Sequence, residues 1–311
     1  GEFVKEVSEG LLDDPIDIEI NKRLLDKSYD LIISMGQVVP HEVIGMANYS
    51  KNIFVGCGGS STINKSHMLG AFYGMERIMG RDKSPVRKVL DYAEVNFIKD
   101  IPLMYVLTVN TAEENRVFIH GVFIGRERKV LEEAVKLSQE KNLTFVEEPF
   151  KKVVVFLDEK EFKSTWLGNK AVYRTRMAIA DHGELIVLAP GVRRFGEDDE
   201  NDALIRKYGY VGREKVLQLT KENEDLQNNL SVAAHLIHGS SDGRFSITYA
   251  VENLTKDEVE GVSFKYMPLN EAYKKYDPKK LKDGYNMLED GEEIFYISNP
   301  ALGLWADKNK F

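Results

Sequence analysis

A single cysteine, Cys57, occurs in 311 residues, so no intrachain disulfide can form and a reducing compartment is expected. No apolar run approaches the ~18 residues that a membrane-spanning helix requires, so a membrane protein is not expected, and a cytoplasmic location is. Basic residues are outnumbered, 42 Lys and Arg against 50 Asp and Glu, for a formal charge of −8. That balance argues against a nucleic-acid partner, because phosphate binding wants a basic face, but it leaves room for a local basic pocket for a small anion. There is no Gly-x-Ser-x-Gly elbow, no early GxGxxG and no Gly-Lys-Ser/Thr order. Serine-hydrolase, dinucleotide-binding and P-loop readings therefore lack support. Internal repeats and low-complexity tracts are absent as well.

What is present is the ordinary composition of a globular enzyme, 43% hydrophobic and 30% charged, long enough for one or two domains. Strand-like and helix-like segments alternate, which predicts an α/β fold of two lobes, each a mostly parallel sheet flanked by helices. Glu147-Glu148-Pro149 marks a boundary and gives domains 1–148 and 149–311. The expected elements include a helix over 18–28, a strand at Leu31–Gly36, a short helix opened by Pro40-His41, and a strand at Ile53–Val55. Helices at 61–79, 84–98 (capped by Ser84, with Pro85 in its first turn) and 126–141 follow, with strands at 103–109 and 116–119 between the last two. The second half predicts strands at 153–157, 185–188, 244–250, 262–266 and 293–298. Its helices are expected at 165–180, 200–207, 213–221 and 225–237.

Chemistry-bearing side chains concentrate in residues 29–70, near strand ends where α/β proteins bind ligands. His41 is a side chain suited to proton exchange near neutral pH, or it packs a helix start. Lys51 precedes an apolar run, as a reactive amine or as a snorkelling surface residue. His67 lies on the following helix, as a ligand or as a surface residue. The turn Gly56-Cys57-Gly58-Gly59-Ser60-Ser61-Thr62 suits an anion cradle at a helix start, with Gly58, Gly59 and Ser60 as its backbone, or a tight strand-to-helix turn. Cys57 reads as a small buried residue, or as a nucleophile at a helix N-terminus. In the second half, Trp166-Leu167-Gly168-Asn169-Lys170 sets an aromatic and a lysine on one face. Arg174, one turn beyond Lys170, would complete an anion clamp. His235, His238, Ser240, Ser241 and Arg244 crowd one helix-to-strand turn, and Trp305 is expected to fold the tail back over the first lobe.

The order Pro40-His41, Lys51 ten residues on and His67 sixteen further resembles the nickel-pincer lactate racemase family. The resemblance implies a racemase or epimerase acting at C2 of a 2-hydroxy acid. It makes His41 an acid/base and Lys51 the covalent tether of a nickel-pincer nucleotide, a pyridinium thioamide/thiocarboxylate mononucleotide. His67 becomes the imidazole ligand to nickel and Gly58–Ser60 the nucleotide phosphate contact, while Lys170 and Trp166 face substrate. Proteins that synthesise the cofactor are implied partners. Where the family usually reads Ser-Gly-Gly-Arg-Lys, this chain has Asn48-Tyr49-Ser50-Lys51, and Leu167 replaces a glutamine. The second departure points away from lactate toward a larger sugar acid such as gluconate or mannonate. The family's second catalytic histidine and a substrate-binding arginine come from a stretch preceding the part matched here. Gly1-Glu2-Phe3 reads like the remnant of a cloning site, so a shortened chain is expected, and a non-catalytic module binding an anionic metabolite is the alternative.

Overall fold

In the computed structural model, residues 1–113, 116–301 and 303–311 are described. The chain divides into two compact units, Gly1–Leu143 and Thr144–Phe311, with the division five residues before the expected boundary.

The first unit begins with α1 (Glu2–Val7) and continues through an extended segment that holds only one short 3-10 turn, Lys22–Leu25. The helix expected over 18–28 is not formed. Asn21 and Asp26 flank that turn in extended conformation, and residues 15–20 lie along the start of a later helix instead. β1 (Ile32–Gln37) leads to two two-residue strands, β2 (Pro40–His41) and β3 (Gly45–Met46), which pair antiparallel. Pro40-His41 therefore opens a hairpin and not a helix. The hairpin closes through Gly45, whose φ of +95° suits glycine. An added Cβ there would lie 2.1 Å from the Arg81 carbonyl oxygen.

A π-helical turn, Asn52–Gly56, replaces the strand expected at Ile53–Val55. Cys57 N–H reaches back five residues to the Asn52 carbonyl at 3.0 Å. Three apolar residues in a row do not distinguish a buried strand from a buried helical turn. α2 (Ser60–Tyr73) follows and stops at Gly74, with a 3-10 turn at Met75–Arg77. α3 (Pro85–Phe97) begins as predicted, with Ser84 Oγ accepting from the Arg87 amide and Pro85 in the first turn. β4 (Leu103–Glu113) and β5 (Arg116–Gly125) are longer than expected, and α4 (Arg128–Asn142) closes the unit. The sheet order is β1-β4-β5, with β1 parallel and β5 antiparallel to β4. Ile44, Met46, Phe54, Leu69, Leu90, Tyr105, Leu107 and Leu131 form its core.

β6 (Leu143–Val146) and β7 (Phe150–Phe156) lead into α5 (Thr165–Gly168), α6 (Lys170–Thr175) and β8 (Ile179–Leu188). The helix expected over 165–180 is thus two short helices. Asp181-His182-Gly183, expected as its end, lies inside β8, where His182 takes a φ of +64° and the pairing with β7 shifts register. Then come α7 (Asp199–Tyr208), α8 (Arg213–Glu222), α9 (Glu224–Asn228), α10 (Leu230–His238) and β9 (Ser246–Val251). The second unit ends with α11 (Lys256–Gly261), β10 (Lys265–Pro268), α12 (Leu269–Lys275), β11 (Gly284–Met287), β12 (Glu293–Ile297) and β13 (Leu304–Asp307). Its six-stranded sheet runs β10-β9-β8-β7-β12-β11 and is parallel except for β11. Val153, Val155, Leu185 and Val187 are fully buried, as continuous apolar strands of a covered parallel sheet should be. β13, which carries Trp305, pairs with β6, and Asp307 N–H bonds the Met177 carbonyl, so the tail is built into the second unit. Leu302 of the tail lies outside the described residues.

The Gly45 corner is the clearest steric test of the hairpin. Gly45→Ala is expected to cost about 1–3 kcal/mol of stability in a denaturant titration. A variant as stable as the parent would show that the corner relaxes freely.

Candidate functional site

Three basic side chains of the first unit share one carboxylate. His41 ends β2, and its Nδ1 accepts the Val43 amide at 3.1 Å while the Glu42 carboxylate lies 3.8 Å from the same nitrogen. Lys51 stands at the N-terminus of the π-helical turn, half-buried. Burial holds its amine below the ordinary lysine range, with Arg87 adding to the effect and Glu42 opposing it. His67 sits two turns into α2, and its Nδ1 is 2.7 Å from the Ile63 carbonyl oxygen. A carbonyl only accepts, so that contact fixes the proton on Nδ1 and leaves Nε2 as a lone pair. Burial lowers the His67 pKa, helped by the Lys51 charge and opposed by the Ile63 bond and Glu42. Glu42, Lys51 and His67 influence one another and so lie in one locale, to which His41 is joined through Glu42. Glu42 was missed, although it directly follows His41.

The approach to Lys51 is strained. Asn48 and Tyr49 have φ of +74° and +58°, two consecutive left-handed residues without a glycine. They stand where the related pattern has glycines. Asn48 Oδ1 accepts from the Tyr49 amide at 2.7 Å and from Asn52 Nδ2 at 2.8 Å. α3 turns a polar stripe toward this segment. Ser84 Oγ donates to the Ile44 carbonyl at 2.7 Å. Arg87, 1% exposed, donates to Ser50 Oγ at 2.8 Å, the Met46 carbonyl at 2.6 Å and the Asn48 carbonyl at 3.1 Å. Asp91 accepts from Ser50 Oγ at 2.7 Å and from Arg128 at 2.9 Å. None of Ser84, Arg87 and Asp91 had been read as functional. The available signal was their i, i+3, i+7 spacing, which places three polar groups on one helix face.

The glycine turn folds tightly for steric reasons. A Cβ on Gly58 would fall 1.9 Å from the Phe54 carbonyl oxygen, and one on Gly59 would fall 2.3 Å from Glu19 Oε2. Glu19 already serves the start of α2. Its carboxylate accepts the Ser61 amide at 3.0 Å, and its carbonyl accepts the Gly59 amide at 3.2 Å. The chain's own acid thus meets the positive helix end around Gly58, Gly59 and Ser60. Cys57, expected to be buried, is exposed.

In the second unit, Trp166 is half-buried and stacks on His235, with ring centroids 4.3 Å apart. His235 is held between the hydroxyls of Tyr173, 2.8 Å from Nδ1, and Tyr210, 2.9 Å from Nε2. Lys170 opens α6 with its ammonium 5.6 Å from the Phe162 ring centre. Arg174 is buried and donates to the Gly303 carbonyl at 3.1 Å, so part of its guanidinium serves the main chain and not a clamp with Lys170. The residues of the expected polar turn are likewise committed. Ser240 O accepts from Arg176 at 2.9 Å, and Arg244 bonds Asp181 and the Ile179 carbonyl.

These features define a two-unit α/β protein whose first unit carries His41, Lys51 and His67 under the influence of Glu42. Residues 6–79 match Lar_N, the lactate racemase N-terminal domain. Across 92% of its length the chain superposes on the lactate racemase apoprotein of Thermoanaerobacterium thermosaccharolyticum, with TM-score 0.69, 15% identity and 64% of that chain covered. It also superposes on a Thermotoga maritima protein over 99% of its length, with TM-score 0.81, 24% identity and 73% of that chain covered. No curated protein matches the sequence. Residues 6–79 are thus similar to the lactate racemase N-terminal domain, and the fold is similar to that of the lactate racemase apoprotein.

The His67 geometry fixes its titration. The ring is expected to stay neutral at neutral pH, with an NMR midpoint below the ordinary 6.5 and the proton on Nδ1. Between that lowered midpoint and about 6.5 the unfolded chain binds more protons than the folded one. The contribution of His67 to stability therefore rises with pH through that window and is flat above it. A midpoint at or above 6.5 contradicts this reading.

Proposed function

We propose that the protein is a racemase or epimerase acting at C2 of a 2-hydroxy acid, with a nickel-pincer nucleotide on Lys51. The observation that supports it is the pairing of an amine depressed by burial with an imidazole whose Nε2 lone pair is left open. A primary amine is the group that such a linkage needs, and its depressed pKa favours the nucleophilic free base. Among the described residues no group of three His, Cys, Asp or Glu could hold a metal ion. A pincer group brings its own sulfur and carbon donors and asks the protein for one imidazole, which suits His67. When bound, such a group supplies a reversible hydride acceptor for C2.

The protein's own part is proton transfer and binding. With Nδ1 accepting from Val43, His41 carries its proton on Nε2, the form that donates to a substrate oxygen. Taking a proton at Nε2 requires Nδ1–H, and the Glu42 carboxylate 3.8 Å away favours that form. The ring with its proton on Nδ1 is the base, and the imidazolium it becomes on taking a proton at Nε2 is the acid; the Glu42 carboxylate favours both, and the Val43 amide must release Nδ1 for either. In this reading Lys170 holds the substrate carboxylate, and a sugar acid such as gluconate or mannonate is favoured over lactate because Leu167 departs from the lactate-type pattern and the second unit is rich in polar residues.

The test is intact mass and nickel content of the protein co-produced with the enzymes that make the cofactor. An added mass mapping to Lys51, about one nickel per chain, loss of the adduct in Lys51→Arg and loss of nickel in His67→Ala are expected. An unmodified, nickel-free chain overturns the reading in favour of an anion-binding module.

A further inference from the structure

We propose that Arg87 is a positioning residue for Lys51, holding the strained turn that delivers the lysine to the site. The inference rests on reading Lys51 as the functional amine, but its observations are separate. Two successive non-glycine residues with positive φ, Asn48 and Tyr49, precede Lys51 by three and two positions. Such a pair persists only where its surroundings over-determine it. Arg87 supplies that constraint from a buried position on α3. One arm of its guanidinium holds the Met46 and Asn48 carbonyls on either side of Ala47, and the other holds Ser50 Oγ next to Lys51. Asp91 accepts from the same Ser50 hydroxyl and lies 3.9 Å from Arg87, and Arg128 bonds Asp91 and Asp82. A chain of bonds thereby runs from α4 through α3 to Ser50, although Arg87 Nε and Arg128 Nη1 are buried without a hydrogen-bond partner.

A planar fork with donors on both arms is what this geometry uses. A lysine would keep the charge and lose the simultaneous grip. If the fork sets the depth of Lys51, loosening it returns the amine to water. The charged groups acting on Lys51 are Glu42 and Arg87, with burial the larger influence.

The experiment reads the pH–rate profile of Lys51 acetylation in the cofactor-free chain, followed by peptide mass mapping with other lysines as internal standards. In the parent the Lys51 midpoint should lie below those of exposed lysines. Arg87→Lys should raise it by roughly one unit in protein that is still folded. Adding Asn48→Gly, which takes the left-handed conformation without steric cost, should bring it back toward the parent value. A purely structural arginine would lower the melting temperature and leave the midpoint where it was. That result, or a shift that glycine does not reverse, overturns the proposal. Should Arg87→Lys not fold, Ser50→Ala removes the link between fork and lysine, and an unchanged midpoint there overturns it equally. No nickel or cofactor enters the assay. Failure of the pincer reading and failure of the Arg87 proposal are therefore separate results.

Discussion

One buried guanidinium joins the parts of the first unit. Arg87 faces a segment that turns twice through left-handed backbone, and it bonds that segment at three points. Taking an arginine out of water costs several kcal/mol unless its donors are matched, and here two carbonyls and a hydroxyl take the terminal nitrogens, a carboxylate lies 3.9 Å away, and Nε alone is left without a partner. The β2–β3 hairpin, the π-helical turn and α2 all meet the helix that carries this residue or follow directly from the segment it holds. The same bonds that keep the hairpin on α3 therefore set where Lys51 emerges.

The electrostatics of the site follow from its composition. Glu42 acts on His41, Lys51 and His67, and burial disfavours the charged forms of Lys51 and His67. Burial outweighs Glu42 at both Lys51 and His67, so each gives up its proton more readily than in water. In the proposed function it is the free amine that attacks and the neutral imidazole that ligates. The Ile63 carbonyl and the Val43 amide then fix the tautomers of the two rings in opposite senses.

Much of this was legible in the sequence and some was not. The Ser84-Pro85 helix start and the buried strands around Val153–Val155 and Leu185–Leu188 follow from local patterns, and each lies where the pattern puts it. The π-helical turn was read as a strand because Ile53-Phe54-Val55 is too short to show a period. The hairpin at Pro40 was read as a helix start because nothing local announces that Arg81 packs against Gly45. Positive φ at Asn48 and Tyr49 cannot be seen in residue type, since a tyrosine gives no hint of it. Arg87 and Asp91 look like an exposed ion pair one turn apart, and only tertiary packing shows that they face inward. The bond from Arg174 to the Gly303 carbonyl is hidden for the converse reason, because the two are well over a hundred positions apart.

The polar stripe of α3 also bears on how such a sequence can change. Replacing a buried ionic cluster by apolar residues of similar volume is often neutral or stabilising. A search for thermal stability alone would therefore be drawn to Ser84, Arg87 and Asp91 as sites to fill with aliphatic side chains. Such a redesign could melt higher and still be inert, because the backbone entering Lys51 would relax to an ordinary right-handed path. In this unit durability and chemical competence compete for the same helix face.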